Sequence, residues 1–192
     1  VSTTLEISMK AAVLFFLLFV SFNPLITLQL PTVQLVDQSV VKHKIEQRAI
    51  TKMVAARYKI DHALARDIVS TAFKYERQHF PKAIDIIAII GIESAFRPHA
   101  KSALKTDPAI GLTQVRPGAW SHKIAKSELH TIDGQIRIGA DILSHYYTKL
   151  DGNKSGAIGA YNVGLRGYVE RKNPAAVNRY VAKYTREVAN YK

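Results

Sequence analysis

The chain has no cysteine, which excludes disulfides, thiolate metal ligands and a cysteine nucleophile across all 192 residues. It leaves the compartment open. Acidic residues are scarce: 15 Asp and Glu stand against 27 Lys and Arg, giving a net charge of +12. Residues 1–30 hold one lysine, Lys10, and one glutamate, Glu6, so the excess belongs to the rest of the chain. Such a charge favours anionic partners such as nucleic acid, anionic lipid or carboxylate-rich polymers. No RNA-recognition aromatic signature and no zinc-finger spacing is present, so no nucleic-acid partner is expected. The seven histidines (43, 62, 79, 99, 122, 130 and 145) show no paired ligand spacing, and neither a metal nor another cofactor is expected. Ser94 and Ser102 lack the context of a nucleophile elbow. Alternating strand patterns, internal repeats and low-complexity tracts are also missing, so the fold class is mostly α.

One apolar run is dense. Residues 11–20 (Ala-Ala-Val-Leu-Phe-Phe-Leu-Leu-Phe-Val) follow Lys10, and no charge appears from Ala11 to Gln34. The dense part suits a secretory signal, and the stretch Ala11–Leu30 reaches the roughly 20 residues that span a bilayer. No small-x-small cleavage site follows, which favours an uncleaved anchor. The basic residues at 42–59 on the far side weigh against an anchor with that side exported. Asn23-Pro24 would kink or end a helix. Met9 makes a more natural start than Val1. The expected organisation is a signal peptide or membrane anchor at 1–30, a linker with an accessory helix at 31–59, and a catalytic domain at 60–192.

Within this frame residues 31–41 read as a connector. A helix is expected from Lys42 to Tyr58, using Ile45, Ala49, Met53 and Ala56. Asp61 reads as the N-cap of a second helix carrying Leu64, Ile68, Val69, Ala72 and Phe73. Residues 82–94 fit helix or buried strand by composition, and their length favours helix. Prolines and glycines make 97–119 a loop with short helical pieces. Ile132, Ile136, Ala140, Leu143, Tyr147 and Leu150 predict an amphipathic helix. Ser155 is the expected cap of a short helix through Ala160, and Asn173-Pro174 opens a final helix.

Chemistry concentrates at Glu93, which closes the apolar segment. If that segment is helical, Glu93 shares a face with Ile86, Ile89 and Ile90. Burial there disfavours the charged carboxylate, and the negative end of the helix dipole acts in the same sense. A carboxyl group that keeps its proton near neutral pH suits a general acid in glycosidic bond cleavage. A solvated glutamate ending a helix is the alternative.

Three segments occur in order: Glu93-Ser94 at the end of the apolar helix, Gly111-Leu112-Thr113-Gln114-Val115, and Ala160-Tyr161-Asn162-Val163-Gly164. Together they resemble the lysozyme-like lytic transglycosylases that cut peptidoglycan. The likeness extends to Phe96-Arg97-Pro98, Ala100-Lys101-Ser102, Asp133 to Leu143 and Asn178-Arg179-Tyr180-Val181, covering about residues 60–192. Thr113 stands where the family often has Met, and Lys105-Thr106-Asp107-Pro108 looks inserted. The resemblance implies a lysozyme-like helical domain of the goose-type lysozyme and transglycosylase kind behind an N-terminal apolar helix. It implies Glu93 as the catalytic acid, with Ser94, Ser102, Gln114, Tyr161 and Asn162 binding substrate. Ser94 and Ser102 would hydrogen-bond sugar or Glu93, the Tyr161 hydroxyl would orient Glu93, and Asn162 would bind an acetamido or peptide group. Trp120 is expected in the core, with sugar stacking as the alternative.

A two-carboxylate glycosidase needs a second acid at a fixed separation. Asp107, Glu128, Asp133 and Asp141 qualify by position only. One acid suffices where the substrate's own 2-acetamido group stabilises the cation, and the resemblance implies this route with an anhydro-sugar product. Peptidoglycan glycan strands are then the expected partner, with the membrane through residues 1–30 and phage or secretion machinery as further candidates. The expected location is the periplasm or cell envelope with an inner-membrane anchor, or the virion for a phage-encoded chain. A lysozyme-type hydrolase and a non-catalytic basic wall- or nucleic-acid-binding module are the competing expectations.

Overall fold

The computed structural model describes residues 38–191. The apolar run at 11–30 and most of the expected connector lie outside these residues. In chain order the helices are α1 (Gln38–Tyr58), α2 (His62–Lys74), α3 (Ala83–Ser94), α4 (Pro117–Trp120), α5 (Ile132–Lys149), α6 (Lys154–Val163), α7 (Leu165–Val169) and α8 (Pro174–Ala189). A 3-10 turn, Lys126–His130, precedes α5. Among the described residues no strand forms. Only isolated bridges pair Lys101 with Ile110 and Ile110 with Val115.

Helix α3 is the axis of the fold. Ile86, Ile87, Ala88, Ile89 and Ile90 are all buried, so the helix is enclosed on every side. One side packs into a core with Ile50, Val54, Ile68, Val69, Phe96 and Ile136. The other packs with Leu143, Tyr146, Ile158, Tyr180 and Tyr184. This all-round enclosure explains why composition alone left helix and buried strand open for 82–94.

Local chemistry sets most boundaries. Asp61 caps α2, its carboxylate accepting from the backbone N–H of Ala63 at 2.7 Å and of Leu64 at 3.3 Å. Asn173 caps α8 by accepting from Ala176 N at 3.0 Å, with Pro174 in the first turn. Three expectations need correction. Helix α1 begins at Gln38, so residues 38–41 are helical and not connector. The cap of α6 is Asn153, which accepts from Gly156 N at 2.8 Å, so Ser155 lies inside the helix. In α1 the row Ile45, Ala49, Met53 and Ala56 faces solvent, while Ile50 and Val54 fill the core. Both rows have helical spacing, and the pattern alone does not say which one meets α2.

Candidate active site

The C-terminal end of α3 opens into a cleft of about 390 Å³. Glu93 lines it together with Ser102, Gln114, Trp120, Tyr161 and Asn162. Four expected substrate residues, Ser102, Gln114, Tyr161 and Asn162, are thus brought to one cleft with Glu93. Ser94 is not. It is 1% exposed, and its hydroxyl donates to the Ile90 carbonyl at 3.1 Å. One residue along a helix turns the side chain by about 100°, so the neighbour of a cleft-facing Glu93 points into the core.

Glu93 is half-buried, and burial raises its carboxyl pKa above the ordinary 4.5. Two weaker influences oppose this: a hydrogen bond from the Tyr180 hydroxyl to Oε1, and the nearby ammonium of Lys183. Tyr180 itself is held well above its usual range by burial and by Glu93, so it remains a neutral donor. The expectation that Tyr161 orients Glu93 is therefore corrected. The Tyr161 hydroxyl donates to the Thr113 carbonyl at 2.8 Å, and Tyr180 takes the position beside the acid. A signal for Tyr180 exists in the sequence. Tyr180, Tyr184 and Glu187 recur at helical spacing, and all three are buried in α8.

The wall opposite α3 is a loop tied into a hairpin-like turn. Ile110 N donates to Val115 O at 2.9 Å and Val115 N to Ile110 O at 3.2 Å. Ser102 joins it, its backbone N–H donating to Ala109 O at 3.0 Å and its hydroxyl accepting from Ala109 N at 2.9 Å. Gln114 adopts a φ of +50°, a conformation that costs a non-glycine residue about 1–2 kcal/mol. Its amide nitrogen compensates by donating to Gly111 O at 2.9 Å and Ala100 O at 3.2 Å. Asp107 fixes the far edge, accepting from Gly118 N at 2.6 Å and pairing with Arg116 at 3.3 Å.

Sequence reasoning missed Gln135, which holds this loop against α5. Its side chain is 2% exposed, accepts from Leu112 N at 2.7 Å, and donates to Pro98 O at 3.0 Å and Leu129 O at 2.9 Å. A glutamine on the apolar face of a helix was the available signal. Close approach of the loop also requires Gly139, where a Cβ would sit 2.6 Å from Thr113 Cγ2. Trp120 corrects another expectation in part. It is half-buried against the second core and also lines the cleft. His122 stacks against it with ring centroids 6.1 Å apart.

Glu93 is the one acid among the described residues that line the cleft. The four acids that qualified by position are engaged elsewhere: Asp107 with Arg116, Glu128 and Asp141 with Arg137, and Asp133 with Lys74 at 2.6 Å. Among the described residues no cluster of three or more His, Cys, Asp or Glu could hold a metal ion.

This arrangement agrees with a comparison of sequence families. Residues 71–180, more than half of the chain, match the family described as "Transglycosylase SLT domain". No curated protein and no solved structure matches the chain. The matched segment runs from within α2 to Tyr180 and includes every residue of the cleft described above. On that match the chain belongs to the SLT-domain transglycosylases, enzymes of the lytic transglycosylase type that degrade peptidoglycan.

Proposed function

We propose that the chain cleaves the β-1,4 bond between N-acetylmuramic acid and N-acetylglucosamine and leaves a 1,6-anhydro end. The observation that carries this reading is the single acid in the cleft, Glu93, with its pKa raised by burial. Hydrolysis by paired carboxylates would need a partner for Glu93 about 5–9.5 Å away across the scissile bond. With one acid, the substrate must stabilise its own cation, and its 2-acetamido carbonyl is suited to do so.

The steps follow from the carboxyl's environment. Protonated Glu93 donates to the bridging oxygen, and the C1–O bond breaks as the acetamido oxygen closes on C1. Glu93 is then a carboxylate, a form favoured by the Tyr180 hydroxyl and Lys183. It takes the proton from the C6 hydroxyl of the same sugar, and that oxygen displaces the acetamido oxygen from C1. The carboxyl is regenerated and no water is consumed. Tyr180 acts as a positioning residue, Ser102, Gln114 and Asn162 contact sugar or peptide, and Trp120 offers a stacking face. Residues 1–30 direct export or anchoring, and the biological role is local wall opening for phage or for a secretion or conjugation apparatus.

Mass spectrometry of muropeptides released from purified sacculi tests the reading. Anhydro ends are expected. Reducing ends, heavier by the mass of the water that hydrolysis adds at each cut, would reassign the chain to hydrolysis.

A further inference from the structure

Four large apolar side chains of α1 lie exposed: Val40, Val41, Ile45 and Met53, with Ile45 62% exposed. On a helical wheel, taking about 100° per residue, Val41, Ile45, Ala49 and Met53 form one outward row. Arg48 lies about 60° to one side of Ile45 and Lys44 about 100°, with Lys52 close to the row itself. On that basic side α1 and α2 border a cleft of about 650 Å³ lined by Lys44, Arg48, Lys52, His62 and Arg66. Its one acid is Asp67, which lies 3.9 Å from Arg66. On the other flank Glu46, about 100° from Ile45, is the one acid of α1.

This face lies on the part of the chain that precedes the family match at residue 71, and none of its residues lines the cleft that holds Glu93. An apolar row beside a cationic row is the pattern of a helix that lies in a membrane interface, apolar side chains among the acyl chains and cations among the phosphates. The position in the chain fits that occupant. The apolar run Ala11–Leu30 ends shortly before Gln38, where α1 begins.

We propose that the outer face of α1, with the basic cleft it forms with α2, docks on the anionic surface of a lipid bilayer. The inference is independent of the catalytic reading. From the anchoring reading it takes only the place where the apolar run ends. Docking would hold residues 38–191 at the membrane surface.

The absence of cysteine makes a direct test available. Full-length Ile45→Cys, labelled with an environment-sensitive fluorophore, is mixed with vesicles of phosphatidylcholine alone or with phosphatidylglycerol. Emission should shift to the blue on the anionic vesicles, return toward the free value at high salt, and change little on the neutral ones. Adding Lys44→Gln, Arg48→Gln and Lys52→Gln should raise the lipid concentration needed for half the shift about a hundredfold, near fivefold per charge. Thr148→Cys, on exposed α5 surface, should show no shift. The proposal is overturned by an equal response to neutral and anionic vesicles, or by a triple variant that responds like its parent. It is also overturned if the triple variant loses affinity for sacculi while its vesicle response is unchanged, which would assign the face to the wall.

Discussion

Helix α3 carries two carboxylates, and they do different things. Asp85, in its first turn, is 0% exposed. It accepts from Lys82 N at 2.8 Å and from Lys154 Nζ at 2.7 Å, and from the Tyr184 hydroxyl. Glu93, in the last turn, faces a cleft and accepts from the Tyr180 hydroxyl. Both tyrosines come from one face of α8, four residues apart, so the two acids are addressed by the same element in the same way. The difference is in everything else. Asp85 has a backbone donor and an ammonium paired to it and is closed to substrate. Glu93 has neither, so burial dominates and raises its pKa. A buried carboxylate with a full set of donors is structural, and one left short of donors beside a cavity is available for proton transfer.

Exchanging the acids for their amides should separate the two roles. Glu93→Gln should lower turnover on sacculi by several orders of magnitude, because the amide can neither donate nor retake the proton. It should also stabilise the fold at neutral pH. The native Glu93 pKa lies above 4.5, so the folded chain binds more protons than the unfolded one above that pH, and stability falls as pH rises. The stabilisation of the variant should vanish below about pH 4.5. Urea denaturation at both pH values measures it, and a variant less stable than native at neutral pH would contradict the account.

Asp85→Asn should act in the opposite sense. Losing the charge that holds Lys154, whose side chain is 49% exposed, should cost about 2 kcal/mol of stability, less than a fully buried pair would. Turnover per folded molecule should stay near the native value. A stable but inactive variant would place Asp85 in the chemistry.

Each acid accepts from its own tyrosine of α8, and Tyr180→Phe removes the one on Glu93. Turnover should fall roughly tenfold to a hundredfold, for a hydrogen bond worth about 1–3 kcal/mol. The alkaline limb of the pH profile should move to higher pH, since the donor favours the carboxylate. Tyr161→Phe should do least. It loses the bond to Thr113 O, about 1 kcal/mol of stability, and leaves the pH profile in place. Reversed effects of the two tyrosines would restore Tyr161 as the orienting group.

The candidate acid was legible because a charge ending the uninterrupted apolar run Ile86–Ile92 is a local signal. The two later motifs were legible because their short segments stand in sequence order. The partner of the acid was not. Tyr161 sits within a motif and Tyr180 in a closing helix, and which hydroxyl reaches Glu93 depends on how α8 crosses α3. Ser94 failed for a simpler reason: adjacency along a helix separates side chains instead of joining them. In α1 two rows of apolar residues competed, and the direction of the core is a tertiary fact.

The central claim is that α3 ends in a carboxyl group whose pKa burial raises and the Tyr180 hydroxyl partly lowers. Carbon-13 NMR titration of the side-chain carboxyls, with the Glu93 signal assigned by its loss in Glu93→Gln, tests it most directly. The account predicts a Glu93 midpoint above 4.5 that moves higher still in Tyr180→Phe. A native midpoint at or below 4.5, or one that Tyr180→Phe leaves unmoved, would contradict it.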